Sequence, residues 1–371
     1  VKTNTRCMIP IEYYIPTYFI CLGFVLIFTC LPLLKYRYLE DFPMTNLKVG
    51  SILLLIVTVG FIGLRDPWGH WSILGDTGAY TRTFEMIDAG IRTEFNKDVG
   101  FYLYMKLCST IMGVRGFYLL SAILYVGLPY LSFKKWLGSY AFFGLAAVVA
   151  SMSFWGFGIN TLRNGLAASI FLFAMGFRDK KILLFSLMLI SITFHKSMLL
   201  PALAYVLTMF YRNTKILLLF WLCTIPVSII VGQSLETYVS SIFTSDTVVA
   251  DDRALTYFSG EANNKVVVQR FRLDFVLYSA LPVVLGSWYI FKKKYMDKFY
   301  QHLLNIYLFA NGVWVLLIYV PFTDRLAYLS WVFMLIIIVY PFVKKIESNN
   351  TKYIFLSVLG LLIFTLSLKY F

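Results

Sequence analysis

Ionisable side chains are scarce in this chain, and several stand where long apolar runs end, in positions suited to chemistry. The densest stretch is Phe61 to Glu85, FIGLRDPWGHWSILGDTGAYTRTFE. An apolar run, Lys48 to Leu64, stops at Arg65-Asp66. A turn rich in Pro, Trp and Gly leads to Gly75-Asp76-Thr77 and a segment with helical spacing, on which Tyr80 and Glu85 orient the loop. Asp76 is placed either to cap that helix or to act as a catalytic carboxylate. Arg163 sits between two apolar runs with no acidic residue within ten positions. An arginine near hydrocarbon costs about 2.5–3.5 kcal/mol unless it snorkels to the surface or an anion compensates it. His195, in Phe194-His195-Lys196-Ser197, is a phosphate donor or, kept neutral, a base. Asp324-Arg325 marks another junction between apolar runs, as a boundary ion pair or a ligand grip. Arg270 and Arg272 stand where a long polar loop re-enters an apolar run, as interface anchors or a second anion grip, and Lys196 is similar.

The elements that must position these groups are membrane helices. Hydrophobic residues make up 59% of the chain and charged ones 14%, far from the balance of a soluble domain. The expected fold is therefore an all-α polytopic membrane protein, one integral domain over residues 1–371. Apolar runs fall near 15–34, 48–64, 115–133, 140–159, 162–177, 182–194, 197–211, 214–232, 272–291, 302–320, 325–343 and 352–370, about twelve spans. Six short loops carry 17 Lys/Arg against 5 Asp/Glu, whereas 65–98 and 233–272 carry 8 against 11. Basic short loops mark the cytoplasmic side, which puts both termini and the 65–99 and 233–270 loops outside it. The net charge of +14 is thus an orientation signal and an anchor to anionic lipid rather than a nucleic-acid surface. Residues 100–113 are apolar but short, and are expected as a surface or re-entrant helix. Residues 182–211 are too long for one span, about 45 Å, so a break is expected at His195-Lys196-Ser197.

Five cysteines and three histidines show no ligand spacing, so no metal site, disulfide framework or cofactor is expected. With basic short loops inside, Arg65, Arg163, His195-Lys196, Arg270, Arg272 and Arg325 all map to the outer boundary. Like charges gathered there repel unless a polyanion binds, and arginine matches phosphate oxygens in pairs. The natural partner is a lipid whose phosphate or pyrophosphate lies at headgroup level. Asp66, Asp76 and Asp324 lie in the same layer and can accept a proton from a hydroxyl nucleophile. Aromatic rings on the outer face, among them Trp68, Trp71, Tyr80 and Tyr257, either anchor the interface or stack on sugar rings.

The motifs in order are Leu64-Arg65-Asp66, Gly75-Asp76 with Tyr80, Asp98-Val99-Gly100-Phe101, Arg163, Phe194-His195-Lys196-Ser197 and Asp324-Arg325. This set resembles the EpsG/Wzy-type bacterial polysaccharide (O-antigen) polymerases, with Asp98 standing where the family usually has Glu. The resemblance implies a metal-independent, GT-C-like glycosyltransferase of the bacterial inner membrane with its active site facing the periplasm. Its expected partners are undecaprenyl-pyrophosphate-linked glycan donor and acceptor, membrane lipid and a polysaccharide chain-length regulator. On this reading Asp76 is the first candidate base and His195 the second. Arg163, Arg325 and His195 hold the donor pyrophosphate, and Arg65 and Asp66 hold the loop or the acceptor phosphate. The rival expectations are an O-antigen ligase-like transferase and a lipid-linked oligosaccharide flippase. A transporter should line a path open to both sides with ionisable groups, whereas here they concentrate near one face.

Overall fold

The structure is a computed structural model, and it describes residues 9–91, 98–244, 271–320, 323–345 and 350–370. Those residues form helices and turns with no strand among them. Two compact units are present, residues 1–199 with 339–371, and residues 200–338.

The first unit opens with α1 (Ile11–Cys30) and α2 (Met44–Gly63). Two short helices, α3 (Trp71–Leu74) and α4 (Thr77–Asp88), follow, so the expected 65–99 loop contains helical segments. Next come α5 (Val99–Ile111), α6 (Val114–Leu137), α7 (Ala141–Val149), α8 (Phe154–Ile159), α9 (Leu162–Met175) and α10 (Lys181–Phe194). Helix α6 packs against both α2 and α9, and α9 against α10. Hydroxyls stitch this row together: Ser169 Oγ donates to the Tyr125 carbonyl at 2.8 Å and Ser191 Oγ to that of Ala167 at 2.7 Å. Water is no competitor for such bonds in hydrocarbon, which makes them useful between apolar helices. The C-terminal helix α16 (Asn350–Tyr370) packs on α1 and α7.

The second unit holds most of α11 (Leu199–Phe210), then α12 (Thr214–Thr244), α13 (Leu273–Ser287), α14 (Lys298–Leu316) and the greater part of α15 (Thr323–Lys344). A buried hydrogen-bond network ties these helices at Asn311. Its Oδ1 accepts from Trp221 Nε1 at 2.7 Å, and its Nδ2 donates to Ser279 Oγ at 3.2 Å and Ser330 Oγ at 2.9 Å. Trp331 Nε1 donates to the same Ser279 hydroxyl at 2.7 Å.

Among the described residues, seven helices or helix pairs are long and apolar enough to cross a membrane: Ile11–Lys35, Met44–Gly63, Val114–Val149, Thr214–Leu235, Leu273–Lys292, Thr323–Lys344 and Asn350–Leu368. Several other expected spans are shorter elements. The 140–159 run divides into the end of one long segment (α7) and the six-residue α8, at a turn where Ser151 Oγ turns back to the Val148 carbonyl at 2.7 Å. Such local side-chain bonds compete with helix continuation. Helix α9, fourteen residues, reaches only about 21 Å. The 302–320 run becomes α14, whose Gln301, His302, Asn305 and Asn311 keep it out of the seven. Helix α12 continues to Thr244, well into the expected 233–270 loop, and residues 245–270 lie outside the described residues. The break at His195 is present: α10 stops at Phe194, His195 is extended at φ −157°, and a 3-10 turn over Lys196–Met198 leads into α11. Helix α5, thirteen residues or about 20 Å, is too short to cross. It buries Phe101, Met105 and Cys108 and exposes a second apolar stripe of Val99, Leu103, Leu107 and Ile111.

Candidate active site

The end of α2 is built around an inward-turned arginine. Arg65 is 2% exposed. Its guanidinium lies over the Tyr118 ring, 4.0 Å from the centroid, while Nε donates to Thr77 Oγ1 at 3.1 Å and Nη1 to the Ile62 carbonyl. Nη2 is buried and has no hydrogen-bond partner. Burial pushes this guanidinium down to about 10, which leaves it charged at neutral pH, and no carboxylate among the described residues pairs with it. Tyr118 extends the link, since its hydroxyl donates to the Thr77 carbonyl at 2.7 Å and pairs with Thr81 Oγ1 at 2.8 Å. Thr81 Oγ1 also reaches the Pro67 carbonyl at 2.7 Å. Arg65 thus fastens the start of α4 to the end of α2. Asp66 does not pair with it: its carboxylate accepts the Trp68 amide at 3.0 Å in a tight turn.

That anchoring sets the position of the next turn. Gly75 adopts φ +51° and ψ −132°, a conformation open only to glycine. A Cβ there would also strike the Asn160 side chain, with Cγ at 2.7 Å and Cβ at 2.9 Å. The Asp76 amide donates to Asn160 Oδ1 at 3.0 Å, across 84 residues of sequence. Asp76 stands at the capping position of α4, yet its side chain makes no capping bond; its carboxylate is exposed and has no hydrogen-bond partner among the described residues. Of the two roles open to Asp76, the geometry therefore leaves the carboxylate uncommitted.

Asn160 caps the C-terminal end of α8, and Arg163 follows in the first turn of α9. The two helices come close because Gly165 lies against the Phe157 carbonyl, where any side chain would collide. Arg163 Nη1 donates to Asp98 Oδ2 at 2.7 Å, the side chains being 15% and 7% exposed. The compensating anion that no nearby sequence supplied comes from 65 residues earlier. The neighbouring Asn164 is buried, and its Oδ1 has no hydrogen-bond partner.

The rest of the Asp98-Val99-Gly100-Phe101 motif brings in His195. A Cβ on Gly100 would meet Thr193 Cβ at 2.9 Å and Phe194 Cδ2 at 3.0 Å, so glycine lets α5 lie directly on the end of α10. Phe101 is a fully buried hub whose ring meets Tyr80 of α4 at 5.9 Å, Phe117 of α6 at 6.3 Å and Phe194 of α10 at 6.2 Å. His195 is half-buried, with Nδ1 2.6 Å from Ser197 Oγ, which fixes the ring's orientation. Lys196 beside it is exposed. Gly75-Asp76, Asp98-Phe101, Arg163 and the His195 break are thus tied together within the first unit. Asn160, Thr77 and Tyr118 belong to the same assembly, and only their places at the ends of apolar runs hinted at them.

The second unit places its expected site residues differently. The Arg272 fork is committed to Asp274, Nε to Oδ1 at 3.0 Å and Nη2 to Oδ2 at 2.7 Å, and it stacks on Phe275 at 3.7 Å. The hydrogen bonds to Asp274, and then the charges of Asp274 and Asp324, hold Arg272 above its ordinary value against the opposing pull of burial. Asp324 is exposed and Arg325 half-buried in the first turn of α15. Arg270 lies outside the described residues.

No curated protein and no solved structure matches the chain. A model described as EpsG family does match, over residues 48–371, and so takes in every motif assembled above. With seven apolar helical stretches of spanning length among its described residues, this multi-pass membrane protein belongs to the EpsG family, the family of Wzy-type polysaccharide polymerases.

Proposed function

We propose that the chain is a membrane glycosyltransferase that joins oligosaccharide repeat units carried on undecaprenyl pyrophosphate, at the outer face of the bacterial inner membrane. The growing chain leaves its lipid pyrophosphate and passes to a sugar hydroxyl of the incoming unit. Asp76 takes the proton of that hydroxyl as its oxygen bonds to the anomeric carbon. The bond from that carbon to the pyrophosphate oxygen breaks, and its electron pair stays with the pyrophosphate. A diphosphate is already a good leaving group, so it needs fixed cations more than a proton donor. Arg163 supplies the cation, and His195, oriented by Ser197, adds a hydrogen bond or serves as the second candidate base.

One observation carries this reading. Asp76, a carboxylate with no hydrogen-bond partner among the described residues, is fastened by its own amide to Asn160, three residues before Arg163. The backbone that carries a proton acceptor is thereby bonded to the short turn that leads into the arginine. Asp98 pairs with Arg163 at 2.7 Å, and a diphosphate, with more charge, competes for the same guanidinium. The test is reconstitution of the purified protein in liposomes with lipid-linked repeat units. A ladder of products is expected from the natural chain and none from Asp76→Asn or Arg163→Lys. Translocation of the units with no ladder would make the protein a carrier, and the proposal would fall.

A further inference from the structure

We infer that Asn160 is a positioning residue of this site: its side-chain oxygen sets the Asp76 carboxylate relative to Arg163. The inference rests on the proposed role of Asp76 as base and adds a residue that no motif singled out.

Two independent features of the contact support it. First, the bond is directional. The Asp76 amide can only donate, so it must meet the oxygen of the Asn160 carboxamide, at 3.0 Å, and the orientation of that amide is thereby determined. Second, the turn is shaped to the partner. Gly75 holds a conformation barred to side chains and lies so close to Asn160 that a Cβ would overlap its Cγ and Cβ. A strained turn persists where its surroundings over-determine it, and such strain gathers at functional sites. The Asp76 side chain, meanwhile, makes no bond to its own helix.

The mechanical consequence follows from the chain path. Asn160 caps the C-terminal end of α8 and Arg163 lies in the first turn of α9, so their separation is set by backbone already pinned at Gly165 against Phe157. Holding the Asp76 amide to Asn160 therefore fixes the backbone that bears the carboxylate relative to the segment that bears Arg163. Displacement of a reacting group by about 1 Å can cost about a hundredfold in rate, so the loss of this one bond should appear in turnover.

The test uses the full chain in liposomes with lipid-linked repeat units extracted from the producing cells. Asn160→Leu keeps the branched shape and volume but removes the acceptor. It is expected to lower kcat about tenfold or more with KM within about twofold, at unchanged membrane level and thermal stability. Asn160→Asp restores an oxygen at the same place and should recover kcat to within about threefold of the natural chain. A merely structural role predicts the reverse, with the isosteric leucine active and the added charge harmful. Natural kcat in Asn160→Leu, or equal loss in Asn160→Leu and Asn160→Asp, overturns the inference. Asp76→Asn run in parallel separates the two readings. If it is inactive while Asn160→Leu is active, Asp76 remains the base and only the positioning role fails. If Asp76→Asn turns over normally, the base assignment fails and the positioning role with it.

Discussion

Among the described residues, two clusters of buried polar groups are finished to different degrees. Around Asn311 in the second unit, the carboxamide, two serine hydroxyls and two indole N–H groups are matched donor to acceptor, and Asn311, Ser279 and Ser330 are fully enclosed. Around Arg65 and Arg163 in the first unit the matching is incomplete. Arg65 buries a charge with one nitrogen unpartnered, Asn164 buries an unpartnered oxygen, and Asp76 turns its carboxylate to solvent. Satisfied networks specify how helices pack, whereas buried polar atoms left without partners require a reason. On the proposed function, the first cluster registers helices and the second serves the ligand chemistry.

Substitutions can break that division, and the largest effect is expected at Arg163. Lysine there keeps a cation for Asp98 but lacks the planar fork. Chain growth should fall about a hundredfold or more, with thermal unfolding in detergent moved by less than about 1 kcal/mol. Normal polymer from this variant would show that Arg163 is a structural counter-ion, no different in kind from Asn311.

Asn311→Leu should do the opposite. It strands the Trp221 indole N–H in the core, while Ser279 keeps Trp331 and Ser330 keeps the Ala327 carbonyl, at a cost of about 1–3 kcal/mol in stability. The protein that remains folded should turn over at the natural rate. Loss of turnover without loss of stability would move this network into the functional class.

Arg65→Lys lies between these cases. A lysine cannot bond Thr77 and the Ile62 carbonyl while lying flat on Tyr118, so about 1–2 kcal/mol is expected to be lost. The loss should be local, read as faster amide exchange in residues 66–76 and a fall in kcat. Uniform destabilisation with unchanged exchange there would mean that Arg65 does not hold the loop.

The smallest effect is expected from Trp71→Ala. That ring is 76% exposed, and its loss should change stability by less than about 0.5 kcal/mol. A raised KM for the lipid-linked acceptor would nevertheless assign it to sugar stacking, and an unchanged KM to the membrane interface.

Local pattern determined a good deal of this protein. The apolar runs and scarce charges dictate membrane helices, because hydrocarbon tolerates only backbone whose hydrogen bonds are satisfied internally. The helix break at His195 was legible for the same reason: a run of that length with His-Lys-Ser in its middle has no place to put one continuous rod. Counting runs overstated the long spans, since α7, α8 and α9 are cut by turns made with Ser151 and close glycine contacts, and those depend on what packs beside them. What only the tertiary structure decided is pairing. Arg163 takes its counter-ion from 65 residues away, Asp76 takes its anchor from 84 residues away, and Arg65 lies over the ring of Tyr118, 53 positions on. A residue's type states what it can bond, but the partner that arrives is set by how helices from distant segments pack, and no local spacing encodes that.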